Sequence, residues 1–178
     1  MAVYVNKSVL RPAGNPGNGI ATKDKITIID TNDIKTFPAR DEAGILVSTD
    51  ITLQASAKPI ELYLTPGTVE VTSTAEGEPD AMGFNLSLKG NHPGNSQEVR
   101  EFKWNWLGRK CIILVEYCEG RDPDILGTPC NPMQLSSTFT ANKDMTRTEF
   151  EFTSISKGMD IGIYKGTMPP VAAASDLP

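Results

Sequence analysis

Most of the chain consists of short segments of two kinds. In some, apolar and polar residues alternate, and in others β-branched apolar residues cluster. A period of two places successive side chains on opposite faces of a strand. Glycine, proline and asparagine recur between these segments, and no long helical pattern alternates with them. The pattern predicts strands at residues 25–30, 43–56 (one long or two paired strands), 59–66, 68–75, 81–90, 109–117, 133–141, 146–155 and 159–166.

This order predicts a mainly β fold, an antiparallel β-sandwich or barrel with one short flanking α-helix and extended N- and C-terminal arms. The chain has 178 residues, which corresponds to about one domain. We assign residues 1–22 to an extended arm because prolines and glycines interrupt them, residues 23–165 to the β-sandwich domain, and residues 166–178 to a C-terminal tail.

The predicted helix covers residues 96–107 and carries the best capping signals of the chain. Asn95 is the expected N-cap, with Glu98 three residues later as in a capping box, and Gly108 fits the position after the helix. We expect the glycines and proline before the helix to end the preceding strand: Gly90, Pro93 and Gly94.

Two arrangements of the aromatic residues in this segment are open. On a helix, Val99, Phe102 and Trp106 share one stripe and face the core, and Trp104 points away, where it is available to a neighbouring subunit. As a strand, the same segment would place Phe102, Trp104 and Trp106 on one face. The capping residues favour the helix.

Composition excludes several classes of function. The formal net charge is −5, from 17 basic and 22 acidic residues, which argues against a surface that grips nucleic acid. No apolar run approaches the ~20 residues of a membrane span. The N-terminal segment has neither the apolar core nor the cleavage site of a signal peptide, so we expect the protein to be made in a cytoplasm and to have no membrane partner.

Candidate catalytic and metal-binding residues are few. His92 is the single histidine and is expected to be an exposed, inert residue of a glycine-rich turn. Cys111 and Cys118 are expected on opposite faces of a strand and Cys130 in a loop, all as buried or half-buried free thiols whose role the sequence leaves open. No closed zinc site or phosphate-binding loop is present in the sequence, and no cofactor is expected.

Two predicted hairpins have one apolar and one small, polar face. The polar positions we single out are Glu70, Thr72, Asn85, Ser87, Ser136, Thr138, Arg147, Glu149 and Glu151. Such faces occur on ordinary solvated strands. They also suit the lining of a channel that stays wet and does not grip what passes, because acidic walls repel phosphates.

The order of elements resembles that of the tail tube proteins of bacteriophages and related contractile injection machines. The elements are an arm, an acidic hairpin, a short aromatic helix, a buried strand, a second polar hairpin and a tail. The resemblance covers residues of about 60–165, and it rests on the hairpins 68–89 and 134–154 and the helix 96–107. It implies hexameric rings that stack through arms and loops into the tail tube of a virion. Four strands per subunit would then line a lumen through which DNA passes without specific binding.

That resemblance further implies contacts with other tail proteins, assembly in the host cytoplasm, and no enzymatic activity. Arg147 departs from a uniformly acidic lining. Three alternatives stay open: a capsid decoration or other β-sandwich virion protein; a β-barrel enzyme or ligand-binding module with Glu149, Glu151 and His92 around a pocket; and a carbohydrate-binding module, for which Trp104 and Tyr117 are the available aromatics.

Overall fold

The computed structural model describes residues 6–173 and is mainly β, as the sequence predicts. Its strands are β1 (Thr22–Asp30), β2 (Ile34–Thr36), β3 (Leu46–Val47), β4 (Thr52–Leu53), β5 (Ile60–Tyr63), β6 (Glu70–Glu76), β7 (Gly83–Pro93), β8 (Lys110–Tyr117), β9 (Asp124–Leu126), β10 (Met133–Ala141), β11 (Thr146–Ser154) and β12 (Gly162–Tyr164). A 3-10 helix (Thr31–Asp33) follows β1, and the α-helix α1 (Gln97–Trp106) lies between β7 and β8.

Ten of these strands form one hydrogen-bonded sheet in the order β3-β12-β9-β8-β10-β11-β7-β6, with β1 paired to β8 and β5 paired to β1. The expectation of a purely antiparallel fold is wrong at one place, because β12 pairs with β3 in parallel. Two distant short segments meet there, and hydrophobic alternation carries no information about the direction in which they pair. The other two strands, β2 and β4, form a separate antiparallel pair.

The large sheet folds back on itself and encloses the main core. Apolar side chains of β7, β10 and β11 pack against those of β1, β5 and β8, and α1 contributes to the same cluster. The largest fully buried members include Ile26, Ile113, Leu88, Phe150 and Phe152. The two parts of the sheet are therefore the layers of a sandwich, held by the burial of apolar surface.

A second core lies behind β1 and β8. Ile112 and Leu114 alternate with the residues that face the main core, and they pack with Val47, Ile125 and Tyr164. Because both faces of β8 are covered, its sequence reads as a continuous apolar run. The central strand predicted at residues 109–117 is confirmed.

Helix α1 begins one residue later than predicted. Ser96, and not Asn95, is the N-cap, and its hydroxyl oxygen accepts a hydrogen bond from the Val99 amide at 3.4 Å. The expected capping box of Asn95 and Glu98 is wrong, because the residue three positions after Ser96 is Val99. Gly108 does follow the helix with φ +75°, a conformation that favours glycine.

Strand β7 continues beyond its predicted end. Gly90 does not end the strand, because pairing with β11 runs on to Pro93, which lies opposite Arg147 and is the last residue of β7 as expected. Gly90 is buried, and a Cβ built on it would lie 2.7 Å from Leu64 Cδ1, so this glycine serves close packing. The turn follows at Gly94, with φ +74°.

Two further predicted features differ from the structure. The region 43–56 holds only the two-residue strands β3 and β4, which belong to different sheets. Alternation places Met82 on the same side as Phe84, Leu86 and Leu88, but Met82 lies before β7 and is exposed. Alternation does not reveal where pairing stops, since only the neighbouring strand decides it.

The segments expected to be arms differ from each other. Residues 6–21 contain no helix or strand, and almost all of them are exposed. Residues 166–173 also lack regular structure, but they lie against the domain: Met168 packs on the second core, and the Ala172 amide donates to the Pro59 carbonyl oxygen at 2.8 Å. The ends of both predicted arms, 1–5 and 174–178, lie outside the described residues.

Candidate functional site: a polar four-stranded face

The two polar hairpins lie side by side. Strand β11 of the second hairpin pairs with β7 of the first, so β10, β11, β7 and β6 form one continuous antiparallel section. The register places Ser136, Glu151, Lys89 and Glu70 in one row across all four strands. Nothing in the separate hairpin patterns specified this junction.

All nine polar positions singled out in the sequence belong to one side of this section. The positions between them along the same strands are largely buried and face the main core, as Leu88, Thr148 and Phe152 do. We call the opposite side the polar face. It carries hydroxyl, amide and charged groups and no aromatic ring: Glu70, Thr72, Thr74, Asn85, Ser87, Lys89, Asn91, Gln134, Ser136, Thr138, Thr140, Arg147, Glu149, Glu151 and Thr153.

Lys89 is a charged member of the polar face that is not among the nine positions singled out in the sequence. Its Nζ lies 3.2 Å from Glu151 Oε1, and the Ser87 hydroxyl donates to the same oxygen at 3.4 Å. With Glu70 and Thr72 these three residues line a shallow depression of about 270 Å³. Its place on the same side as Ser87 and Asn91 was readable from the alternation. Lys89 joins Arg147 among the glutamates, so the charge of the face is mixed, although the acids still outnumber the cations.

The face ends at two strand edges that are open within the described residues. Strand β6 pairs with β7 alone, and β10 leaves β8 after Gln134, so residues 135–141 pair only with β11. Between Glu70 and Glu76, and along residues 135–141, the edge strands contain neither charge nor proline. Natural proteins use such residues to block strand addition at an exposed edge.

The histidine does not join the carboxylates. His92 is a half-buried residue of β7 paired with Thr148, and not an exposed turn residue. Its ring lies on the core side, edge-on to Tyr63 and Phe150, with centroids 6.0 and 6.2 Å away. Glu149 and Glu151 are on the other side of the sheet, so a pocket shared by these three residues does not form.

The cysteines are free thiols in three different environments. Cys111 is buried, and burial raises the pKa of its thiol to about 12. Cys118 is half-buried, and Cys130 is exposed, contrary to the expectation of burial. Residues 6–173 contain no group of three potential metal ligands.

The aromatic residues of α1 follow the helical alternative. Val99 and Trp106 are buried, and Phe102 stacks on Trp106 with centroids 5.9 Å apart. Trp104 is 80% exposed. The strand alternative for this segment is wrong, and Trp104 is accessible to a partner.

No helix within the described range is long and apolar enough to cross a membrane. Comparison of the chain with protein-family models, with curated proteins and with solved structures finds no match.

Proposed function

We propose that this protein is a virion structural protein whose copies join through the edges of the polar face into hexameric rings, which stack as a phage tail tube for the passage of DNA. The observation that carries the proposal is the four-stranded polar face, whose two edges carry neither charge nor proline at residues 71–75 and 135–141. An exposed edge of this kind is a template for another strand.

The directions of the strands fit such a joint. Along the section β10-β11-β7-β6 every neighbour is antiparallel, so the two outer strands run in opposite directions. Placing β6 of one copy beside β10 of the next therefore continues the antiparallel pattern, with the polar face on the same side throughout. A contact between two different surfaces of identical copies repeats head to tail and closes as a ring when the rotation allows.

The chemistry of the polar face suits a lining. Barrels of about 16–18 strands already enclose an aqueous channel, and six four-stranded sections would make a wider one. Single-stranded nucleic acid is held by aromatic stacking and basic grooves, and duplex DNA by clustered cations. The polar face has no ring to stack on a base, and its two cations are outnumbered by glutamates. The polar face would therefore bind the phosphate groups of DNA only weakly.

The enzyme alternative has weaker support, because His92 and the Glu149–Glu151 pair are on opposite sides of the sheet. A capsid decoration protein would share the β-sandwich but needs no joined edges. Assembly through β6 and β10 therefore separates the tube proposal from both alternatives.

The test uses one lysine on each edge strand, Thr72→Lys with Thr138→Lys. Joined edges would bring like charges close together, since directly opposed Cβ atoms of paired strands lie about 5 Å apart. Thr153→Lys is the matched control, because Thr153 is an exposed residue of the same face on the central strand β11. Each protein is studied by sedimentation velocity and negative-stain microscopy.

We expect rings or tubes of constant width for the wild type and the control, and folded monomers for the edge variant. Wild-type protein that stays monomeric at high micromolar concentration across salt conditions would refute the proposal. Rings that the edge variant forms as well as the wild type would show that other surfaces join the copies.

A further inference from the structure

A groove runs along the core side of the open edge of β10. It measures about 490 Å³ and lies between α1 and the strand, and its apolar lining includes Trp104, Leu107 and Phe139. These three side chains are 80%, 68% and 42% exposed. Exposed apolar surface that includes a tryptophan is typical of a protein–protein contact.

The charged residues of the groove are both cationic. Arg100 and Lys103 lie in the lining, which contains no acidic residue. Lys103 Nζ lies 5.6 Å from the ring centroid of Phe139, and the Arg100 guanidinium donates to the Asn95 carbonyl oxygen at 3.2 Å. An occupant of the groove should therefore combine apolar contact with negative charge.

The other open edge carries such a surface. The loop after β11 covers the core side of β6 and β7: Gly158 and Phe84 exchange backbone hydrogen bonds of 3.0 Å, and the Ser73 hydroxyl donates to Asp160 Oδ1. Met159, between them, is 49% exposed. We call Ser73, Met159 and Asp160 the β6 flank.

The groove and the β6 flank lie on the same side of the sheet. Phe139 is paired with the buried Thr148, and Ser73 with the buried Leu86, so both point to the core side at opposite ends of the section. Neighbouring strands lie about 4.8 Å apart. If β6 of one copy continues β10 of the next, the loop over β6 comes to lie beside the helix over β10.

We propose that the groove is the docking site for the β6 flank of a second copy, with Met159 against Trp104 and Asp160 beside Lys103. The inference rests on the ring assembly proposed above. It identifies a second contact between neighbouring copies, on the side of the sheet that faces away from the lumen. The hairpin tip next to the flank adds negative charge, since its two acidic residues outnumber the one lysine of the adjacent loop: Glu78 and Asp80 against Lys157.

Cysteine cross-linking tests this contact. Ser137→Cys in the groove and Lys157→Cys beside the flank are introduced singly and together into a chain that also carries Cys118→Ser and Cys130→Ser. Both positions are exposed, and neither change removes Trp104 or Lys103. The proteins are treated with a short bis-maleimide reagent and separated on a denaturing gel.

The double variant should give a ladder of covalent oligomers that ends at six subunits, and each single variant should run as a monomer. Adding Lys103→Glu to the double variant should lower the ladder yield several-fold. Lys143→Glu is the matched control, an equal change of charge on an exposed lysine at the β10–β11 tip that does not line the groove.

Rings seen by microscopy without this ladder would overturn the groove contact and leave the ring proposal standing. A ladder from either single variant would also overturn it, because the contact would then join like surfaces. Absence of any assembly would overturn both proposals.

Discussion

Two tryptophans two residues apart on α1 should respond in opposite ways to truncation. Trp106 is 9% exposed, stacks on Phe102 and has the Arg109 guanidinium 5.5 Å from its ring centroid. Trp104 is 80% exposed and touches the groove instead. Trp106→Ala should therefore lower the free energy of unfolding of the domain. Trp104→Ala should weaken assembly and leave the fold intact.

The size of the Trp106 effect follows from the surface it buries. A buried aromatic side chain removes about 150–250 Å² from water, which at ~25 cal/mol per Å² corresponds to roughly 4–6 kcal/mol. This is an upper value, because the unfolded chain already buries part of that surface. Truncation of buried aromatic residues costs about 3–5 kcal/mol, so we expect a loss of about 4 kcal/mol. For Trp104→Ala we expect a change within about 0.5 kcal/mol.

Urea denaturation measures the change in the free energy of unfolding for both variants if the protein is monomeric, since association would add to the apparent stability. The substitutions are therefore made in the monomeric edge variant described above. With a slope of about 2 kcal/mol per M, Trp106→Ala should lower the midpoint by about 2 M, and Trp104→Ala should hardly move it. Equal losses for the two variants would refute the assignment of buried and exposed faces on α1.

Three further predictions concern the polar face, the thiols and the packing. The first changes three glutamates of the polar face to lysine: Glu70, Glu149 and Glu151. Assembled particles should look normal but retain DNA in filter binding with a steep salt dependence, and DNA delivery at the wild-type level would show that the face does not line the path. In the folded protein at pH 8, a maleimide should label Cys130 readily, whereas Cys111 should stay unlabelled because it is buried and its raised pKa keeps the thiol protonated. Mass spectrometry of labelled peptides checks this, and labelling of Cys111 should appear in urea, where its pKa returns toward about 8.5. Gly90→Ala should cost about 1–3 kcal/mol in thermal unfolding, because its Cβ would collide with Leu64, whereas Gly17→Ala, with no atom near its Cβ, should change little.

Local patterns in the sequence determined most strand positions. β10 and β11 lie within a residue of their predicted bounds because alternation and a turn at residues 142–145 define a hairpin without distant partners. The helical stripe of Val99, Phe102 and Trp106 is equally local. The cap moved from Asn95 to Ser96 because both residue types cap helices, and the turn at Gly94 decided which of them stands at the start.

Only the tertiary structure decided which strands meet. The sequence by itself specified a mainly β chain, two hairpins with polar faces, and a helix with one buried and one exposed tryptophan. These features follow from hydrophobic periods of two and 3.6 residues, which can be read from residues close together in the sequence. It did not specify that β7 pairs with β11, that Lys89 faces Glu151, or that His92 lies across the sheet from Glu149. Those relations join residues about 55–65 positions apart, and their free energy comes from the burial of a shared core, which no local pattern records.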